Sequence, residues 1–317
     1  MRRREFIGLV SGAAFWPLAT RAQLPRQMAR IGVLLISGPE LMGPFRESLH
    51  ELGYAEGKNI QIEVRSAQNQ LARLPELATQ LVRNQVDVIV AIQTPAVYAA
   101  KNATRDIPIV MMAGDPIGTG LISNLARPGG NLTGLSGAAA ELAAKSLELI
   151  PQMIPAARHV GVLGNANDPF MKPFLEDIEQ AAPKVRLEVH QIIVRSSSEL
   201  DDAFAALARA QADAVMIQGS LSDKLAVDLA LKYRMPSLST QNSAVQAGLL
   251  MSYTADLTER GQEIARYVDK ILKGTMPGDL PVQQPTRYEL AINLKTAKAL
   301  GLTVPPVLLA RADKVIE

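Results

Sequence analysis

"QVDVIVAIQT", residues 85–94, returns as "QADAVMIQGS" at residues 211–220. In each phrase Gln-x-Asp leads into an unbroken apolar run, 88–92 or 214–217, and a second Gln closes it. A short continuous apolar run bounded by polar residues reads as a strand buried on both faces, as in a parallel sheet covered by helices. A second phrase repeats in the same order: "GVLLISGPELMGPFRESL" (32–49) aligns with "GVLGNANDPFMKPFLEDI" (161–178). Gly32, Val33, Leu34, Met42, Pro44, Phe45 and Glu47 find their matches in Gly161, Val162, Leu163, Met171, Pro173, Phe174 and Glu176. Two phrases recurring in order point to duplication, and the period far exceeds the roughly 20–50 residues of solenoid repeats. The repeated unit is a whole domain.

Each copy has one grammar. A strand (31–36; 160–163) runs into a Gly/Pro/Asn-rich turn and then a helix with Pro near its start, where a missing N–H does no harm. Phe45, Leu49 and Leu52, like Phe174, Ile178 and Ala181, fall at i, i+4, i+7 on one helical face. A second strand (60–64; 186–194), a second helix (73–84; 199–210) and the opening phrase as third strand follow. A third helix (95–103; 221–233) and a fourth strand (107–113; 235–240) complete the unit. Strands and helices alternating at this spacing imply right-handed crossovers. The fold class is α/β: two Rossmann-like, doubly wound parallel-sheet lobes in tandem.

The turn-rich "GLISNLARPGGNLTGLSG" (120–137) should end the first lobe. A helix is expected over about 256–273, stopped by Gly274, then the extended "MPGDLPVQQP" (276–285), then a helix over 288–301 ending at Gly301. The chain should therefore cross between lobes more than once. Lobe 1 is expected to hold residues 23–137 plus about 255–283, and lobe 2 about 138–254 plus 284–317.

Of the 317 residues, 48% are hydrophobic and 20% charged, the balance of an ordinary globular protein. The opening "MRRREFIGLVSGAAFWPLATRA" has an Arg-rich start, an apolar run and small residues before position 23, which is the grammar of an export signal over 1–22. Arg3-Arg4-Glu5-Phe6-Ile7 gives it the twin-arginine form, an address and not an anchor. The apolar run is shorter than the ~20 residues that span a bilayer, so no stable membrane insertion is expected after cleavage, and the location expected is the periplasm. The signal holds four Arg and one Glu, so the rest of the chain carries a net charge of −1 where the whole carries +2. Nucleic-acid binding thereby loses its electrostatic support. The chain has no Cys, which rules out disulfides and thiolate chemistry.

Reactive chemistry finds little purchase. "GLSGA" (134–138) lacks the last Gly of a nucleophile elbow, and Ser136 reads as the N-cap of a helix over 138–150. "GTGLIS" (118–123) lacks the third Gly of a dinucleotide fingerprint. His50, His159 and His190 are scattered, none at ligand spacing, so no metal is expected. No cofactor and no catalytic residue is expected. What remains is reversible binding of a small molecule. In open α/β sheets ligands sit beyond the carboxyl ends of the strands, which here carry Ser37, Gln93, Thr94 and Asp115 in lobe 1, and Asn165, Asp168, Gln218, Ser220, Gln241 and Asn242 in lobe 2, with Tyr253 nearby. These are hydrogen-bonding side chains at equivalent points of two lobes. Each also has a purely local use as a cap or turn former.

"DPIGTGLISNLARPGGNLTGLS" (115–136) resembles a signature of the ABC-transporter substrate-binding family that includes tryptophan- and tyrosine-type binding proteins. "AGLLMSYTADLTERGQEIARYVDKILKGTMPGDLPVQQPTRYELAINLKTAKALGLTVP" (247–305) is similar to that family's C-terminal half. The resemblance implies a type I periplasmic binding fold, a monomer that holds a small solute between two lobes, and an ABC permease with its ATPase as partners. Aromatic amino acids are that family's best-known cargo, but the ligand does not carry over from the resemblance. Here the chain after residue 22 has no Trp, and Tyr98 and Tyr253 are the aromatics nearest the strand ends. The solute expected is an amino acid or carboxylate. Two alternatives remain open in the sequence: a solute sensor for a membrane receptor, and an exported α/β enzyme on the same scaffold.

Overall fold

The structure, a computed structural model, describes residues 28–38 and 40–317. The export signal read over 1–22 lies outside the described residues. The first unit runs β1 (Ala29–Leu35), α1 (Met42–Glu51), β2 (Ile60–Ser66), α2 (Leu74–Arg83), β3 (Val88–Ile92), α3 (Thr94–Ala103), β4 (Ile109–Ala113), β5 (Leu132–Ser136). The second runs α4 (Ala139–Met153), β6 (His159–Asn165), α5 (Met171–Ala181), β7 (Glu188–Val194), α6 (Leu200–Arg209), β8 (Ala214–Ile217), α7 (Lys224–Lys232), β9 (Ser237–Ser239), α8 (Asn242–Ala247), β10 (Met251–Ala255). The chain ends with α9 (Leu257–Leu272), β11 (Tyr288–Asn293), α10 (Leu294–Leu300), α11 (Pro306–Arg311) and β12 (Lys314–Ile316).

One sheet has the order β2-β1-β3-β4-β5, all parallel. The other contains β7-β6-β8-β9-β10, parallel and wound in the same order, with β11 and β12 added at the β10 edge. β11 runs antiparallel to β10. The sequence repeat is thus a repeat of winding, down to its details. Gln85 and Gln211 both take left-handed backbone (φ 52° and 55°), and Asp87 and Asp213 accept from the N–H of Arg30 and Arg158 at 2.7 Å in each case. The matched glycines share a cause too. A Cβ on Gly32 would stand 3.1 Å from the Leu81 side chain, and one on Gly161 2.5 Å from that of Leu207, because α2 and α6 press onto the strands there.

Three expectations need correction. Residues 288–301 do not form one helix: 288–293 is strand β11, whose Leu290, Ala291 and Ile292 are buried between layers. Asn293 then starts α10, its side chain accepting from the Thr296 N–H. Ser136 is not a helix cap but the last residue of β5; Ala138, in left-handed backbone, precedes α4. Leu52 lies just beyond α1 and is 39% exposed, so the buried stripe of that helix ends at Leu49.

The chain leaves the first sheet after β5, returns to it after β10, and leaves again past Gln283. The return is firm. α9 packs on α1 so closely that a Cβ on Gly261 would stand 2.6 Å from Pro44 Cβ. Beyond it, Thr133 Oγ1 donates to the Leu280 carbonyl at 2.7 Å, and Gln283 brackets β5 through Ser136 N–H and the Gly134 carbonyl.

Candidate functional site

In sheets of order 2-1-3-4-5 the switch point lies between the first and third strands. Here that means β1/β3 in one lobe and β6/β8 in the other, and the two meet around a cavity of about 210 Å³. Ser37 and Gly38 after β1, Gln93 and Thr94 after β3, and Gly114 after β4 line it from lobe 1. Asp168 and Phe170 after β6, and Gln218, Gly219 and Ser220 after β8, line it from lobe 2. The crossing segments form the floor through Ser136, Gly137, Ala255 and Pro285.

Eight of the eleven expected residues come together here: Ser37, Gln93, Thr94, Asp168, Gln218, Ser220, Gln241 and Asn242. Their roles differ. Gln93 adopts φ 73°, ψ 149°, a conformation that ordinary residues avoid and that turns the chain sharply into α3. Thr94 Oγ1 accepts from the Gly114 N–H at 3.2 Å, tying two strand ends into one rim. Gln218 is 1% exposed, and both ends of its amide are engaged. Its Oε1 accepts from the Asn165 N–H at 2.8 Å and its Nε2 donates to Asp168 Oδ2 at 2.9 Å. Asp168 Oδ1 also accepts from the Phe170 N–H at 2.9 Å. Burial nonetheless pushes the Asp168 carboxyl above its ordinary value, against the pull of the hydrogen bonds from Ser220, Phe170 and Gln218.

Three expected residues stand elsewhere. Asn165 lies behind the wall, its Nδ2 3.4 Å from Ser220 Oγ. Asp115 folds back on its own turn, Oδ1 accepting from the N–H of Ile117 (3.1 Å) and Gly118 (2.8 Å). The local use of an Asp before Pro wins there. Tyr253 stacks on Tyr288 with ring centroids 5.7 Å apart, and Lys145 Nζ sits 5.9 Å from its centroid. Tyr98 donates its hydroxyl to the Thr119 carbonyl.

The sequence missed residues of another kind. Phe170 faces Gly114 across the cleft and leans on Phe174, which also lines the cavity, with ring centroids 6.0 Å apart. Arg260, Glu289 and Lys314 reach it from α9, β11 and the start of β12. Burial pulls the Arg260 guanidinium down to about 10, opposed by Asp256 and Glu289. Burial likewise raises the Glu289 carboxyl, with Lys314 pulling the other way. No periodicity marks these side chains; Arg260, Glu289 and Lys314 lie far from the strand-end positions that a duplicated sheet makes predictable, and Phe170, in the loop after β6, offers no polar group to single it out.

The histidines also need correction. His159 and His190 are not apart: parallel pairing of β6 with β7 brings their rings to 3.3 Å (Nδ1 to Nε2), with Glu188 3.7 Å from His159. They sit at the end of the sheet opposite the cavity.

A sequence profile described as "ABC transporter substrate binding protein" matches residues 34–316. The chain belongs to the ABC transporter substrate binding protein family. A tyrosine-binding protein of Clostridioides difficile (strain R20291) is 32% identical over 266 residues, which are 81% of this chain and 75% of that protein. Among solved structures, an ABC domain in complex with L-Trp from Streptococcus pneumoniae has a TM-score of 0.82 at 28% identity, over 91% of this chain and 99% of that one. A ligand-free, open substrate-binding protein with adhesive properties from Clostridium difficile has a TM-score of 0.65 at 25% identity, over the same shares. The fold of this substrate-binding protein is that of the type I periplasmic binding proteins. Among the described residues no helix is long and apolar enough to cross a membrane.

Proposed function

We propose that the protein is the solute-binding component of an ABC importer. Exported through the twin-arginine signal over 1–22, it captures an amino acid or small carboxylate in the periplasm and presents it to a permease and its ATPase. It acts as a monomer and performs no chemistry on the solute. Residues 23–137 with about 255–283 form one jaw, and about 138–254 with 284–317 the other.

The observation that carries this reading is a cavity walled from both lobes and floored by the segments that cross between them. A ligand touching both walls favours the closed arrangement over the open one, which is the whole physical content of capture. The better superposition on the L-Trp complex than on the open protein, at similar identity, supports lobes disposed as around a ligand. The size is appropriate. A cavity of about 150 Å³ holds benzene, so 210 Å³ takes a ring with a short polar chain. Phe170 and Phe174 give that ring an aromatic wall, in keeping with the Trp and Tyr named for the relatives.

The test is thermal unfolding of the purified protein against amino acids, aromatic acids and small carboxylates. A bound solute at a hundredfold excess over its dissociation constant adds about 2.7 kcal/mol of stability. A saturable rise in midpoint, with the solute recovered unchanged, is expected. A solute recovered altered would refute the reading.

A further inference from the structure

Several polar side chains of the cavity wall are held by neighbours: Gln218 by Asn165 and Asp168, Thr94 by Gly114, and Asn242 Oδ1 by the Ser252 hydroxyl. Arg260 stands apart. It rises from the first turn of α9 into the cleft, and its Nε is sealed from solvent with no hydrogen-bond partner among the described residues. Among the described residues its Nη1 meets only Met112 Sδ, at 3.8 Å. Among the described residues no carboxylate comes within 4.0 Å of the guanidinium; Asp256 and Glu289 act on it from farther away. A guanidinium carries five N–H donors in a planar fork, and buried donors are nearly always satisfied. A part-buried fork at the cavity wall with no carboxylate partner is a site awaiting an acceptor. The α3 N-terminus, whose first residue Thr94 lines the same cavity, adds partial positive charge.

We propose that Arg260 is the anchor for the ligand's carboxylate, so the cargo of this cleft is a carboxylate-bearing solute and uncharged analogues of the same shape are rejected. The inference rests on the reading of the cleft as a solute site. The carboxylate meets the fork from the cleft side and supplies the acceptor that no described residue provides. The competing role is an interlobe strut, since Arg260 on α9 faces Glu289 on β11. The two roles differ in the empty protein. A strut stabilises it, whereas an anchor is a part-buried charge without a close partner, and its removal leaves stability unchanged or raised.

The experiment uses the purified protein with L-tryptophan, L-tyrosine, L-leucine and benzoate, each beside its own carboxamide, on wild type, Arg260→Gln and Arg260→Met. Calorimetry gives affinities and thermal melting gives ligand-free stability. Each acid that binds wild type is expected to bind at least about 30-fold tighter than its carboxamide, the scale on which a desolvated charge pair acts. Arg260→Gln should erase that preference while melting at or above the wild-type temperature. A carboxamide binding wild type as tightly as its acid, or a preference that survives in Arg260→Gln, overturns the anchor. Failure of every probe on wild type counts against the proposed solute class, and the ligand-free melts then decide the anchor. Lower melting of both variants overturns it, and equal or higher melting supports it.

Discussion

Gly114 ends the β4 rim of lobe 1, and Phe170 comes from the loop ahead of α5 in lobe 2. A Cβ built on Gly114 falls 3.0 Å from three atoms of the Phe170 ring, where ordinary contact is 3.4–4 Å. The Gly114 backbone itself is not in the left-handed region, so alanine is free of local strain there. The penalty of Gly114→Ala therefore lands on the apposition of the lobes. The ring must retreat by roughly half an ångström while it also packs on Phe174, and overpacking of this kind costs about 1–3 kcal/mol. If capture requires this apposition, affinity for any bound solute should fall by about 5- to 150-fold. When the lobes part, the added methyl meets only solvent, so the ligand-free melting temperature should stay within about 2 °C of wild type. Calorimetry with a solute found in the thermal screen supplies the affinity. Small-angle scattering of the saturated variant reports whether the lobes still close. Phe170→Leu in the same chain should restore part of the loss, because the two changes share one contact. An unchanged dissociation constant for Gly114→Ala alone would refute the argument, since it would mean that the bound state does not bring these two residues together.

Gly261→Ala should destabilise by about 1–3 kcal/mol, because its Cβ would stand 2.6 Å from Pro44 Cβ and 2.9 Å from the Phe45 backbone N. Gly43→Ala, with nothing within 4 Å, should be neutral or stabilising by up to about 1 kcal/mol; denaturant melts of the pair make the comparison. Gln218→Ala should lose about 1–3 kcal/mol of stability, since it leaves the Asn165 N–H and the buried Asp168 carboxylate each short of a partner. Urea midpoints equal to wild type would contradict that bracing role. The fourth prediction concerns pH. Burial holds the Asp168 carboxyl above its ordinary 3.8 in the folded protein only, so the folded state takes up a proton first as pH falls. This group then adds stability as pH drops through its folded value and withdraws it above. Asp168→Asn removes the dependence, so the melting difference, wild type minus variant, should grow from pH 7 toward pH 4. A difference that stays flat would show that Asp168 titrates normally.

The sequence by itself determined the two lobes. Matched phrases around Gly32 and Gly161, and around Asp87 and Asp213, repeat because a strand flanked by helices imposes the same local demands twice. Apolar runs must be buried, a glycine must sit where α2 or α6 presses in, and an Asp must tie the neighbouring strand start. A switch point in a doubly wound sheet follows from strand order, so Ser37, Gln93, Thr94, Asp168, Gln218 and Ser220 could be placed by position alone. Direction and partnership were another matter. Asp115 and Asp168 read alike, each before a Pro and each accepting from the N–H two residues on, yet only Asp168 lines the cleft. Tyr253 turned to Tyr288 because β10 and β11 pair antiparallel, a pairing hidden as long as 288–293 passed for helix. The tertiary structure alone delivered Arg260, Glu289 and Lys314 to one cavity. They sit on segments that the chain brings together only by crossing between lobes, and such contacts, remote in sequence, leave no periodic trace in the residues that make them.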